Sequence, residues 1–256
     1  MTTTIDARKA YFGIHGWGGA GKTWLAHTLP GPRLALETEM GGLDTKDRED
    51  RDVRLQLWDP ATAAVPTGLD ETDTVIVSVR DLKVLAPIMQ LLESGNHPFE
   101  SVILDSFTEL QNMLKEAVAN PGKEYNPNAT FDQQAWGRLK NHGGIILRDL
   151  RDLTWPEAAK PINVAVVMYS DDEAIPVVPL LEGGIRKGMQ GWFDIIGYLF
   201  TVVVPETKEE IRVLQISRDP NAIAKCRLHL VKAKYGSHIE RPDLAVVLNT
   251  LNGESK

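Results

Sequence analysis

Residues Gly16 to Thr23 read Gly-Trp-Gly-Gly-Ala-Gly-Lys-Thr, a full match to G-x-x-x-x-G-K-[ST]. Such a loop binds phosphate: its glycines let backbone N–H groups turn inward, and the helix that follows adds the positive end of its dipole. The context agrees, with the apolar run Ala10 to Ile14 before the loop and the helical pattern Trp24 to Leu29 after it. Lys22 is expected to reach the β and γ phosphates, and the Thr23 hydroxyl to take one position on Mg²⁺. The nucleotide-binding set is therefore Gly16, Gly18, Gly19, Ala20, Gly21, Lys22, Thr23 and Trp24, with ATP and Mg²⁺ as cofactors. Trp17 occupies a variable position and reads first as a packing or interface residue, and second as a base-stacking one.

A second constellation supplies acids. Ser101 to Asp105 is an apolar strand ending in a carboxylate, which places Asp105 at the carboxyl edge of a sheet beside the loop, where it can anchor Mg²⁺. A strand-terminal aspartate can also cap the next helix; beside a complete phosphate loop the metal role is the expected one. Ser106 stands where many ATPases have a glutamate, so the base that orients the attacking water must come from elsewhere. Strand alternation over Leu34 to Glu39 puts Glu37 and Glu39 on one side, with Glu39 farther out. Glu39 is the expected base and Glu37 the reserve; a solvated strand end is the alternative for both.

The elements that position these groups follow from periodicity. Apolar runs near residues 10–15, 33–38, 53–58, 74–79, 101–105 and 163–169 alternate with helical patterns, the rhythm of a parallel sheet with crossover helices. Helices are expected before Pro30, between Asp81 and Glu93 with Pro87 forcing a late start or a kink, from Phe107 to Val118, and from Phe131 to Leu153 with a possible bend at Gly143-Gly144. Residues 121–130 have the turn formers of an exposed loop. Beyond Ser170, Phe193 to Val204 and Ile211 to Ile216 read as an antiparallel hairpin, followed by a strand near Ala222 to Leu230 and a helix from Pro242 to Leu251. The fold class is a three-layer α/β arrangement on a mainly parallel sheet, taken as one domain over residues 1–256 with a core from about 8 to 250.

A formal net charge of −7 makes the whole molecule repel nucleic acid, so any such contact needs a local basic patch. The sole cysteine, Cys226, excludes an internal disulfide and a cysteine-based metal site, and suits a reducing cytosol. The longest apolar stretch, Ile195 to Val204, is short of the roughly 18 residues of a membrane span, so no membrane partner and a cytoplasmic location are expected.

The phosphate loop, Glu37-Thr-Glu39 and Val102-Ile-Leu-Asp-Ser-Phe-Thr-Glu-Leu110 occur in the order and style of the RecA recombinase core. The chain resembles most the short phage versions of that core, AAA-type nucleotide-binding proteins of which some work in single-strand annealing and recombination. The similarity spans roughly residues 8 to 250. It implies an Mg²⁺-dependent ATPase acting on single-stranded DNA, assembled as a ring or filament, in a host cytoplasm if phage-encoded, and working with a single-strand-binding protein where one is needed.

It also implies roles for later residues. Tyr169 or Ser170 falls at the position that senses the γ-phosphate, though an amide or histidine is the family's choice there. Arg186 and Lys187, among four glycines, fall in a mobile DNA-binding loop; the plain reading is a flexible surface turn. Lys123 and Tyr125 offer a phosphate contact and a stacking face in the earlier loop. Lys225 and Arg227 resemble the paired cations with which such subunits reach a neighbour's nucleotide; alternatively, they guard an edge strand. Two other readings of the whole stay open: a nucleotide kinase, which also needs an arginine-rich lid and an acceptor pocket, and an ATP-binding assembly protein with slow hydrolysis.

Overall fold

A computed structural model describes residues 8–39, 53–120 and 131–253. Lys123 and Tyr125 lie outside these residues. The chain's six apolar runs become six parallel strands: β1 (Tyr11–Gly16), β2 (Arg33–Glu37), β3 (Arg54–Leu57), β4 (Asp73–Ser78), β5 (Ser101–Asp105) and β6 (Asn163–Asp171). A short β7 (Val178–Pro179) turns back on the end of β6. The hairpin follows as β8 (Ile195–Val203) and β9 (Glu210–Gln215), then β10 (Lys225–Cys226) and β11 (His238–Glu240). The order across the sheet is β11-β9-β8-β1-β6-β5-β2-β4-β3, with β10 paired to β8. β1 is central, parallel to β6 on one side and to β8 on the other, and all six of its residues are buried.

Strand alternation divides the apolar side chains between two cores, one on each face. Tyr11, Leu34, Leu36, Val102 and Leu104 belong to the first. They pack beneath α2 (Leu85–Ser94), α3 (Phe107–Ala119), α4 (Gln133–Asp152) and α5 (Gly183–Met189), whose Ile88, Phe107, Leu110, Leu147 and Ile185 are buried in it. Phe12, Ile14, Ala35 and Ile103 face the second core, closed by α1 (Lys22–Ala26), α6 (His229–Tyr235) and α7 (Leu244–Leu251) through Leu25, Val231, Leu244 and Val247. The result is the three-layer phosphate-loop NTPase fold. Among the described residues, no helix is long and apolar enough to cross a membrane.

Helix boundaries have local causes. Ser106, Asp132 and Asp243 accept hydrogen bonds from the N–H groups of Glu109, Ala135 and Val246, capping α3, α4 and α7. Pro87 is the third residue of α2, in the first turn where its missing N–H costs nothing, so the late start holds and a short 3₁₀ turn, Leu82–Val84, precedes it.

Two expectations are corrected. The strand expected over Ala222 to Leu230 joins β8 only at Lys225–Cys226, because the backbone before it bonds elsewhere: Ala222 forms an isolated bridge with Val177, its N–H donating to Asp219 and that of Ile223 to Val177. Helix α6 then starts at His229. The glycines at 143 and 144 sit inside the one helix that runs from Gln133 to Asp152, and serve close packing: a Cβ on Gly143 would lie 2.7 Å from Ile185 Cδ1. The loop expected around Arg186 and Lys187 is instead helix α5, because Ile185 and Met189, four apart, bury one face of it.

Candidate functional site

In a parallel sheet every strand ends on the same edge, so β1, β2, β5 and β6 deliver Gly16, Glu37, Asp105 and Tyr169 side by side; Gly16 registers with Tyr169, and Glu37 with Asp105. Gly16 must be glycine because a Cβ there would lie 2.4 Å from the carbonyl oxygen of Leu199 on β8. Gly21 takes φ of +91° and opens α1, which releases the chain into the helix with Lys22 and Thr23 in its first turn.

The Thr23 hydroxyl donates to Asp105 Oδ2 at 2.5 Å. Lys22 Nζ donates to the Trp17 carbonyl at 2.7 Å and lies 4.6 Å from the centre of the Tyr169 ring. Burial lowers the Lys22 pKa to about 8, against the opposing pull of Asp105 and Glu39. The donor set of Thr23 and Asp105 is all oxygen, which suits a hard cation such as Mg²⁺. Among the described residues, no group of three or more His, Cys, Asp or Glu side chains could hold a metal ion.

Glu39 is held at both oxygens. Ser106 Oγ donates to its Oε1 at 2.8 Å, and the Tyr169 hydroxyl donates to its Oε2 at 2.7 Å. Burial and the bond to Glu39 keep the Tyr169 hydroxyl protonated, its pKa pushed well above the ordinary value. The strand ends beneath are tied together: Thr38 N–H donates to the Asp105 carbonyl at 2.9 Å, and Ser106 N–H to Thr38 Oγ1 at 2.8 Å. Glu37 is buried at 3% exposure, one layer lower.

His15, the residue before the turn, is wholly buried. Its Nε2 lies 2.7 Å from the Ile223 carbonyl, which can only accept, so Nε2 carries the proton. The ring's Nδ1 is then the acceptor for Ser170 Oγ at 2.9 Å. Burial, aided by the Lys22 charge and opposed by the Ile223 carbonyl, lowers the His15 pKa to about 4. Trp17 projects from the turn, and its indole N–H donates to the Tyr198 hydroxyl on β8.

The structure thus brings Lys22, Thr23, Asp105 and Glu39 to one place, and leaves two other expected groups elsewhere. β10 pairs with Ile195 and Ile196, which register with Phe12 and Gly13 rather than with Gly16, so Lys225 and Arg227 stand at the start of β8, back along the sheet from their own phosphate turn. Lys225 Nζ donates to the Gln190 and Phe193 carbonyls of its own chain, while Arg227 is exposed. Arg186 and Lys187 fall in the last turn of α5, with Lys187 the more exposed.

Sequence reasoning missed three participants. Ser106 was legible only as the residue after Asp105, not as the holder of Glu39. His15 lay inside an apolar run, where a histidine reads as core. Arg212 on β9 places its guanidinium carbon 4.7 Å from the centre of the Trp24 ring. No spacing links residue 212 to residue 24, so only the hairpin's position beside α1 exposes this pair.

A family model described as an AAA domain matches residues 8–228. No curated protein matches the chain.

Proposed function

The chain belongs to the AAA-domain family, a nucleotide-binding ATPase type of domain, and from that premise we propose that it is an Mg²⁺-dependent ATP hydrolase acting on single-stranded DNA. The observation that carries the hydrolytic step is Glu39, oriented by Ser106 and Tyr169 beside the Thr23–Asp105 pair and Lys22. Glu39 takes a proton from a water as its oxygen bonds to the γ-phosphorus. The bond from that phosphorus to the β–γ bridging oxygen breaks, leaving ADP and phosphate. Lys22 balances charge on the phosphate oxygens, and Tyr169 keeps the Glu39 carboxylate aimed. Thr23 and Asp105 are the residues that would hold Mg²⁺, which would supply further positive charge to the phosphates.

Glu39→Gln is the direct test. It preserves shape and removes the base, so kcat should fall by about 10²–10⁴ while ATP still binds. A variant that turns over ATP at the wild-type rate removes Glu39 from the mechanism. Glu37→Gln tests the reserve residue in the same assay.

Support for the DNA and assembly part of the proposal is the RecA-like order of motifs, together with the exposed cations Lys187 and Arg227. Arg227 is the better candidate to reach a neighbouring subunit's nucleotide, because Lys225 is engaged with its own backbone. Arg186 and Lys187 present side-chain charge to a phosphate backbone from a helix, without the free backbone N–H groups of a loop. ATPase rate and particle size, measured together with and without single-stranded DNA, test this. A monomer whose rate ignores DNA refutes it, and Arg227→Ala and Arg186→Ala/Lys187→Ala separate the two surfaces.

A further inference from the structure

Arg212 is a cation whose chemistry the fold leaves unanswered. Its side chain shares a face of β9 with the buried Leu214, the face that α1 covers, and it lies directly against the phosphate turn. A Cβ added to Gly21 would stand 2.2 Å from Arg212 Nε. That nitrogen is buried, yet it has no hydrogen-bond partner. Among the described residues, the guanidinium makes no hydrogen bond and no ion pair; its one side-chain contact of this kind is the face of Trp24. A desolvated N–H without an acceptor is costly, whereas Lys22, Glu39 and Asp105 of the same site each have a hydrogen-bond partner.

The surroundings say what the missing acceptor is. β8 and β9 run on past Leu199, the residue in register with Gly16, so Arg212, opposite Thr201, overhangs the turn from the hairpin side. The guanidinium lies over the Trp24 ring, a cation–π contact that a planar, weakly hydrated group exploits better than a lysine would. A planar fork fixed beside a phosphate-binding turn matches oxyanions, and phosphate oxygens are what that turn collects.

We propose that Arg212 is a nucleotide-binding residue supplied from the same chain, donating to phosphate oxygens of the ATP held by the turn, with Trp24 as the shelf that orients it. This rests on the phosphate-binding reading above and adds to it. It places one arginine contact within the subunit, independent of any that Arg227 makes between subunits.

Titration calorimetry with MgATP and MgADP, on the full chain, tests it with three variants. Arg212→Met keeps the stem over Trp24 and removes the charge, and should weaken MgATP by about 10- to 100-fold. Arg212→Lys should fall between Met and wild type, and Lys22→Ala reports on the turn itself. If Lys22→Ala is crippled while Arg212→Met binds within twofold of wild type, the Arg212 assignment is overturned and the phosphate turn stands. If Lys22→Ala binds as wild type does, the phosphate-binding reading falls and takes this inference with it. Urea unfolding accompanies each variant. An Arg212→Met protein that is less stable yet binds MgATP normally makes Arg212 a structural stack and overturns the proposal. Should Arg212→Met be too unstable to titrate, Arg212→Lys decides: a threefold or greater loss at native stability supports the contact, and wild-type binding overturns it.

Discussion

Acidification should destabilise this fold through His15. The folded pKa is lowered from 6.5 to about 4 by burial. Between those values the unfolded chain binds a proton that the folded chain does not, so stability is complete above pH 6.5 and is lost as pH falls towards 4. One pH unit in that window is worth about 1.4 kcal/mol, and the span from pH 7 to pH 5 removes about 2 kcal/mol. His97, its pKa also lowered to about 4, titrates in the same window, so a subtraction is needed. His15→Gln supplies it: the amide offers a donor and an acceptor to Ile223 and Ser170 but carries no titrating proton. Urea unfolding of both proteins at pH 7 and pH 5 should show wild type losing about 2 kcal/mol more than the variant. Equal losses in the two proteins, or a His15 imidazole, assigned by its absence in His15→Gln, that titrates near 6.5 by NMR, would refute the reasoning.

Other predictions concern single atoms. Tyr169→Phe removes the donor to Glu39 Oε2 but keeps the ring beneath Lys22; kcat should fall by about 10-fold or more with KM little changed, read by steady-state phosphate release. Gly16→Ala drives a methyl into the Leu199 carbonyl and should cost about 1–3 kcal/mol in urea unfolding, with loss of ATP binding by calorimetry. Ile103→Ala, in the middle of β5 and fully buried, should cost about 2–5 kcal/mol in the same unfolding assay, and an unchanged midpoint would contradict its place in the second core.

Much of the fold was legible because its signals are local. Six apolar runs and the Pro30, Pro87 and Gly21 punctuation mark elements within a few residues of themselves, and the hairpin at β8 and β9 carries its own turn. The phosphate turn, Asp105 and Glu39 were readable because a motif fixes their order. What escaped depends on the third dimension. Nothing near Ser106 says that its hydroxyl reaches Glu39, and nothing near Ala222 says that its neighbours bond to Val177. The Arg186 and Lys187 segment misled because four glycines suggested a loop, whereas two buried side chains at helical spacing decided for α5. Lys225 has the right spacing to Arg227 for a shared face, but the carbonyls of Gln190 and Phe193 claim it.

Among the described strands, the one that carries the phosphate turn comes first in sequence, yet both of its neighbours come late. Tyr11 registers with Val164 and Phe12 with Ile195, so β1 has neither flanking partner until well over half the chain exists. Pairings of such sequence separation make folding slow. During translation β2, β4 and β5 can assemble among themselves, while an apolar ribbon ending in a glycine turn waits outside. ATP therefore has nothing to grip until β6 and β8 have come down on either side of β1, and a chain truncated before β8 should neither bind nucleotide nor be rescued by it.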